Sequence, residues 1–167
     1  MKDKQIIVLM GGPSEEAEVS RRTGAAIAEA LVSKGYKAQT LELNPRTVLQ
    51  DIDSLGGEVV FNAIHGRYGE DGALQGLLEM AEIPYTGSGI MAHAVGMNKK
   101  VSKDVFKGAN IPTARSESYN GNLESAEAII NHIRKEFTIP VVVKSATQGS
   151  SIGVTIVREE SQLEAAV

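Results

Sequence analysis

The chain has 167 residues, 42% hydrophobic and 23% charged, with a formal net charge of −4 and no cysteine. That length and composition allow one domain, or one domain and part of another, with a real core. The absence of cysteine excludes disulfides, zinc–thiolate sites and thiol nucleophiles, and the mixed charge excludes a polybasic nucleic-acid surface.

No apolar stretch is long enough to span a bilayer. The start, MKDKQIIVLMGG, passes from a short apolar run directly into a glycine turn, unlike a signal peptide. These features lead to the expectation of a soluble, cytoplasmic protein with no nucleic-acid or membrane partner.

Apolar runs and helical patterns alternate along the first half. Gln5–Met10 reads as a buried strand. Val19, Thr23, Ala26 and Ala30 recur at helical spacing with Ile27 and Leu31 beside them, and Gly35 closes that helix. Residues 37–43 read as a second strand and the β-branched run 58–64 as a third. Leu74, Leu77, Leu78 and Ala81 mark one helix face, residues 83–86 form a short strand, and a further helix starts near Ser88. This order predicts an α/β fold with a mainly parallel, doubly wound sheet.

A domain boundary is expected near Met97, dividing the chain into 1–96 and 97–167. Beyond it come a lysine-rich helix over 98–107 and a strand near 114–119. A helix traced by Leu123, Ala126, Ile130, Ile133 and Phe137 follows, then strands over Val141–Lys144 and 153–158. Glu159, Glu160 and Ser161 begin another helix just before Val167. A helix at the end of a half-built second sheet is read as the mark of a truncated chain.

Four stretches carry candidate chemistry. MGGPSEEAEVS, residues 10–20, follows the first strand, where doubly wound folds meet their ligands. Its glycines allow close backbone approach, and its acidic side chains suit an ammonium group. They also suit an ordinary strand-to-helix turn that complements the helix dipole. HGRYGEDG, residues 65–72, occupies the equivalent sheet edge, where His65 either binds a carboxylate or caps the turn.

Gly87, Gly89 and Ala92 fit a G-x-G-x-x-A dinucleotide spacing. That pattern follows a late, short strand and lacks the acidic partner at the expected distance, so helix-packing glycines are the better reading. The fourth stretch is PVVVKSATQGSSIGV, residues 140–154, taken with MNKK at 97–100. No P-loop pattern occurs. Backbone amides around Gly149, the hydroxyls of Ser150 and Ser151 and the strand-end Lys144 nevertheless form a plausible phosphate cradle. Gly149 is expected to supply a backbone conformation other residues resist. The alternative is a flexible hairpin with a surface lysine.

In order, GGPSEEAEVS, HGRYGEDGALQG, IPYTGSG, MNK and VVVKSATQGSSIGV make the chain resemble D-alanine–D-alanine ligases of the ATP-grasp type. The similarity runs through nearly the whole chain. It implies a Rossmann-like pre-ATP-grasp domain followed by an incomplete ATP-grasp α+β subdomain, the N-terminal part of a longer, homodimeric protein. The implied reaction joins two D-alanines through an acyl phosphate, for peptidoglycan precursors, with ATP and Mg2+.

The resemblance also assigns roles. Glu16 receives the ammonium of the first D-alanine, and His65 lies near its carboxylate. Lys99 and Lys144 contact ATP phosphates. Gly149, Ser150 and Ser151 lie on a loop that closes over the reacting groups, with Ser151 linking that loop to Glu16. Ala17, Asn98, Ser145, Gln148 and Tyr68 depart from the common family pattern. The family's magnesium ligands are expected beyond Val167, so the chain alone is expected to be inactive. Another ATP-grasp acid–amine ligase, such as a D-alanine–D-lactate ligase, and a non-catalytic, truncated binding module are the alternatives.

Overall fold

The computed structural model describes all 167 residues. They divide into two compact units, Met1–Met97 and Asn98–Val167. No helix is long and apolar enough to cross a membrane.

In the first unit, strands β1 (Gln5–Met10), β2 (Lys37–Glu42) and β3 (Val59–Asn62) form a parallel sheet in the order β2-β1-β3. The central position of β1 explains its sequence. Ile6, Ile7, Val8 and Leu9 are all buried, because a parallel strand covered on both faces needs apolar residues at every position.

Helix α1 (Ala17–Ser33) covers one face, setting Ile27, Ala28 and Leu31 against Ile6, Val8, Val59 and Ala63. Helices α2 (Val48–Ser54) and α3 (Ala73–Met80) cover the other. There Val48, Ile52, Leu74 and Leu78 pack on Ile7, Leu9, Val60 and Ile64. Helices on both faces make the sheet doubly wound, as the element order implies. Helix α2 carries no signal in the sequence reading: seven residues with buried Val48 and Ile52 are too short to display a period.

Two strands stop earlier than the apolar runs suggest. After Asn62 the side chain takes over: its Oδ1 accepts from Ile64 N at 3.1 Å and its Nδ2 donates to Gly69 O at 2.8 Å. Such local bonds compete with a strand ladder. The expected strand at 83–86 shrinks to one parallel bridge, Val60 to Tyr85. Pro84 accepts from Val60 N at 2.8 Å but has no N–H of its own to extend the pairing. Helix α4 (Ile90–Met97) follows two residues later than Ser88 and buries none of its residues.

In the second unit, Asn98 starts α5 (Lys99–Gly108) by accepting from Lys100 N and Val101 N at 3.1 and 3.2 Å. Ser125 caps α6 (Ala126–Glu136) in the same way, through Ala128 N at 3.2 Å. The helix therefore begins after Leu123, which is left exposed. Strands β4 (Val141–Lys144) and β5 (Val154–Val157) pair antiparallel.

A 3-10 turn (Glu160–Gln162) leads into α7 (Leu163–Ala166). Ile129, Ile130, Ile133, Val157 and Leu163 form the core of this unit. The strand expected near 114–119 is absent. Side chains meet the backbone there instead: Lys103 Nζ donates to Ala114 O at 2.6 Å.

Leu78 is fully enclosed. Leu78→Ala should cost ~2–5 kcal/mol by urea denaturation. Met80→Ala, at a position 89% exposed in the same helix, should stay within ~0.5 kcal/mol.

Candidate functional site

The carboxyl ends of β1 and β3 bring the first two motifs together. Gly11 and Gly12 follow β1 with φ of 71° and 84°, a turn that favours residues without a Cβ. Gly11 N donates to Ser20 Oγ at 2.8 Å, and that hydroxyl donates to Ala63 O at 2.6 Å. Ser20 is fully buried. One hydroxyl thus ties the end of β1 to the chain leaving β3.

The loop after the glycines is fixed by Ser14. Its Oγ donates to His65 O at 2.9 Å and accepts from Glu16 N at 3.3 Å. Glu16 occupies the N-cap position of α1 but makes no side-chain capping bond. Its carboxylate lies over Gly66 instead: a Cβ built there would sit 2.9 Å from Glu16 Oε2. Gly66 itself has φ 74° and donates its N–H to Glu70 Oε2 at 2.6 Å.

His65 Nε2 lies 3.3 Å from Thr23 Oγ1, so one hydroxyl of α1 orients the imidazole. The structure therefore places Glu16 and His65 at one sheet edge. It adds Ser14, Ser20, Thr23 and Glu70, which the sequence reading missed. A signal for Ser20 existed: Ser20, Gly24 and Ala28 make the buried stripe of α1 at four-residue spacing.

Outside this loop, Glu42 at the end of β2 accepts from Gly12 N at 3.3 Å and from Arg21 at 2.7–3.2 Å. The Arg21 guanidinium holds the Glu42 carboxyl below the usual carboxylate range, against a smaller opposing effect of burial. The same hydrogen bond raises Arg21.

The GSG stretch lies between α3 and α4 and faces side chains of both. Gly87 turns with φ 105°. A Cβ at Gly87 would lie 3.4 Å from His93 Nε2 in α4 and one at Gly89 3.7 Å from Glu79 Oε1 in α3, while Gly72 meets α4 more closely still, its Cβ position 2.9 Å from Ile90 O.

In the second unit, β4 and β5 present one exposed face. Lys144 pairs with Val154 and Val142 with Ile156. Val142, Val154 and Ile156 are 49%, 37% and 52% exposed, so an apolar strip leads to the Lys144 ammonium. The loop between the strands is closed by Ser145 N to Gly153 O at 3.1 Å, with inner turns from Ile152 N to Gly149 O and Val154 N to Ser151 O.

The left-handed positions are Ser150 and Gly153, with φ of 53° and 63°. The expectation for Gly149 is thus corrected: the inner turns put the strained conformation on the residue after it. Helix α5 docks on this loop. Lys99 N donates to Ala146 O at 2.9 Å, and Lys99 Nζ to Gln148 O at 2.5 Å. The structure joins Lys99, Gly149, Ser150 and Ser151 in one element pair, with Lys144 at its base. No group of three or more His, Asp and Glu side chains is placed to hold a metal ion.

Comparison with known proteins bears on family and fold. Residues 42–88 match the family model for the D-ala D-ala ligase N-terminus, and residues 105–167 match that for its C-terminus. A D-alanine–D-alanine ligase of Moorella thermoacetica is 46% identical over 169 residues, covering 98% of this chain and 53% of that protein. The solved D-alanine–D-alanine ligase of Bacillus anthracis superposes with a TM-score of 0.75 at 32% identity, covering 97% of this chain and 52% of that one. The same organism's ligase complexed with ATP gives 0.71 at 30% identity, over 97% and 53%.

The chain spans about half the length of the curated relatives it matches. Likeness to these solved ligases places the chain among proteins with the ATP-grasp fold. The chain belongs to the D-alanine–D-alanine ligase family.

Ser20→Ala removes the acceptor for Gly11 N and the donor for Ala63 O together. Denaturation should show a loss of ~1–3 kcal/mol, with faster exchange of the Gly11 amide. A second expectation concerns acid. Because the folded-state pKa of Glu42 is depressed, its contribution is complete above the ordinary carboxylate range and is lost as pH falls through the folded value. Glu42→Gln should therefore flatten part of the melting-temperature decline seen on acidification.

Proposed function

We propose that the chain supplies the first amino-acid pocket and part of the nucleotide surface of an ATP-dependent D-alanine–D-alanine ligase. The observation that carries this reading is the Glu16 carboxylate. It lies over Gly66 beside His65, at the strand ends, with no side-chain partner of its own at the helix terminus. A half-buried carboxylate with free oxygens suits an ammonium group, and the neighbouring imidazole suits the carboxylate on the same small molecule.

The chemistry explains why both halves are needed. A carboxylate is a poor acyl donor until one oxygen becomes a good leaving group. Transfer of the γ-phosphoryl of ATP to the first D-alanine gives an acyl phosphate. The amine of the second D-alanine attacks it, and the tetrahedral intermediate collapses to dipeptide and phosphate. Glu16 and His65 hold the first substrate by its charged groups, which converts a chance encounter into an oriented one.

In the second unit, the strip of Val142, Val154 and Ile156 offers a flat apolar surface for a purine. The Lys144 ammonium at its end then offsets phosphate charge, as positioned cations do in phosphoryl transfer. Lys99 orders the loop through Gln148 O and brings a second cation to it. Ser150 and Ser151 carry exposed side chains on that loop, available to a phosphate and to loop closure that excludes water. A cytoplasmic homodimer serving peptidoglycan precursor synthesis belongs to the same reading and is suggested by the family resemblance.

The test is a titration of the chain with D-alanine, and separately with ATP, followed by 15N–1H spectra. D-Alanine should shift the amides of residues 11–16 and 65–66, and Glu16→Gln should weaken binding about 10- to 100-fold, the worth of a charged hydrogen bond. ATP should perturb residues 142–156, and Lys144→Ala should weaken it by a similar factor. Shifts confined to other surfaces, or Glu16→Gln with wild-type affinity, overturn the assignment.

A further inference from the structure

Glu42 does two things with one carboxylate. It receives Gly12 N at 3.3 Å, and it forms a two-pronged pair with Arg21, whose Nε and terminal nitrogen lie 2.7–3.2 Å from its oxygens. Three segments meet there: the end of β2, the second turn of α1 and the glycine turn after β1. The carboxylate packs directly against Gly11, where a Cβ would overlap it.

The loop thus has two anchored sides. On its inner side, Ser20 holds Gly11 N and Ser14 holds both His65 O and Glu16 N. On its outer side, the only bond from Gly12 runs to Glu42. Glu16, four residues further on, makes no cap of its own, so its carboxylate depends on how firmly the loop beneath it is held. The other charge facing Arg21 is Glu18, 3.5 Å from its second terminal nitrogen. That contact lies within α1 and does not touch the loop.

We infer that the Arg21–Glu42 pair is a positioning device for Glu16, fixing the outer side of the loop whose inner side presents that carboxylate. The inference rests on the reading of Glu16 as the ammonium-binding group. Both partners are about half exposed, so the effect is modest, on the scale of a well-formed surface pair. Its specificity comes from the Gly12 bond, which a remote surface pair would not make.

The experiment uses the whole chain and compares wild type, Arg21→Ala, Arg21→Lys and Glu16→Gln. Amide hydrogen exchange is read at Gly12, Ser14, Glu15 and Glu16, and at Ile7–Leu9 in β1 as the internal reference. D-Alanine is then titrated into each variant. Arg21→Ala should speed loop exchange and weaken D-alanine binding about three- to five-fold, with β1 unchanged and Arg21→Lys recovering most of both.

Loop exchange in Arg21→Ala at the wild-type rate overturns the inference. A uniform rise that includes β1 also overturns it, since that is a loss of stability rather than of positioning. If wild type and Glu16→Gln bind D-alanine equally, the ammonium reading fails on its own. The loop-exchange comparison then still decides whether the pair orders the segment carrying Glu16.

Discussion

A buried hydroxyl joins two strand ends, and the loop carrying Glu16 is built around it. Ser20 Oγ accepts from Gly11 N and donates to Ala63 O. Parallel strands end with backbone groups that have lost their ladder partners, and such groups are costly to bury unpaired. Here the first helix returns over the sheet and satisfies one donor and one acceptor with a single side chain. The helix start, the glycine turn and the segment after β3 are thereby held at one place.

From that constraint the arrangement of this edge follows. Once Gly11 and Ala63 are tied, Ser14 reaches the His65 carbonyl and the Glu16 amide, and the Glu16 carboxylate comes to lie over Gly66. A side chain at position 66 would occupy the space that carboxylate needs. The two glycine-containing motifs thus serve each other: one provides the carboxylate and the other provides room for it. Most polar groups of this edge are spent on internal bonds, whereas the Glu16 carboxylate makes no capping bond.

The second unit uses an antiparallel hairpin for a different end. Alternation along β4 sends Val141 and Val143 into the core and leaves Val142 and Lys144 outside. The same residue pattern that stabilises the sheet therefore presents an apolar strip ending in a cation. Loop geometry adds Lys99, whose ammonium is spent on Gln148 O and so acts on the loop's order as well as on its charge.

The main strands and helices were legible because their signals are local. The continuous apolar run of β1 and the spacing of α1, α3 and α6 reflect one or two faces of a single element. Glu16, His65, Lys144 and the serine loop were legible as candidates because family motifs carry them as contiguous strings. The strand near 114–119 was overread, since a short apolar pattern cannot reveal whether a neighbouring strand exists to pair with it. Helix α2 was overlooked because seven residues do not show a period.

What sequence alone determined, then, was composition, periodicity and motif order, all properties of neighbours along the chain. Tertiary structure decided which hydroxyl ties β1 to the segment after β3, that Glu42 reaches across to Gly12 and Arg21, and that Ser150 rather than Gly149 takes the left-handed conformation. Those outcomes depend on hydrogen-bond distances between residues up to 43 positions apart, or on turns closed by their neighbours, and only the folded chain sets them.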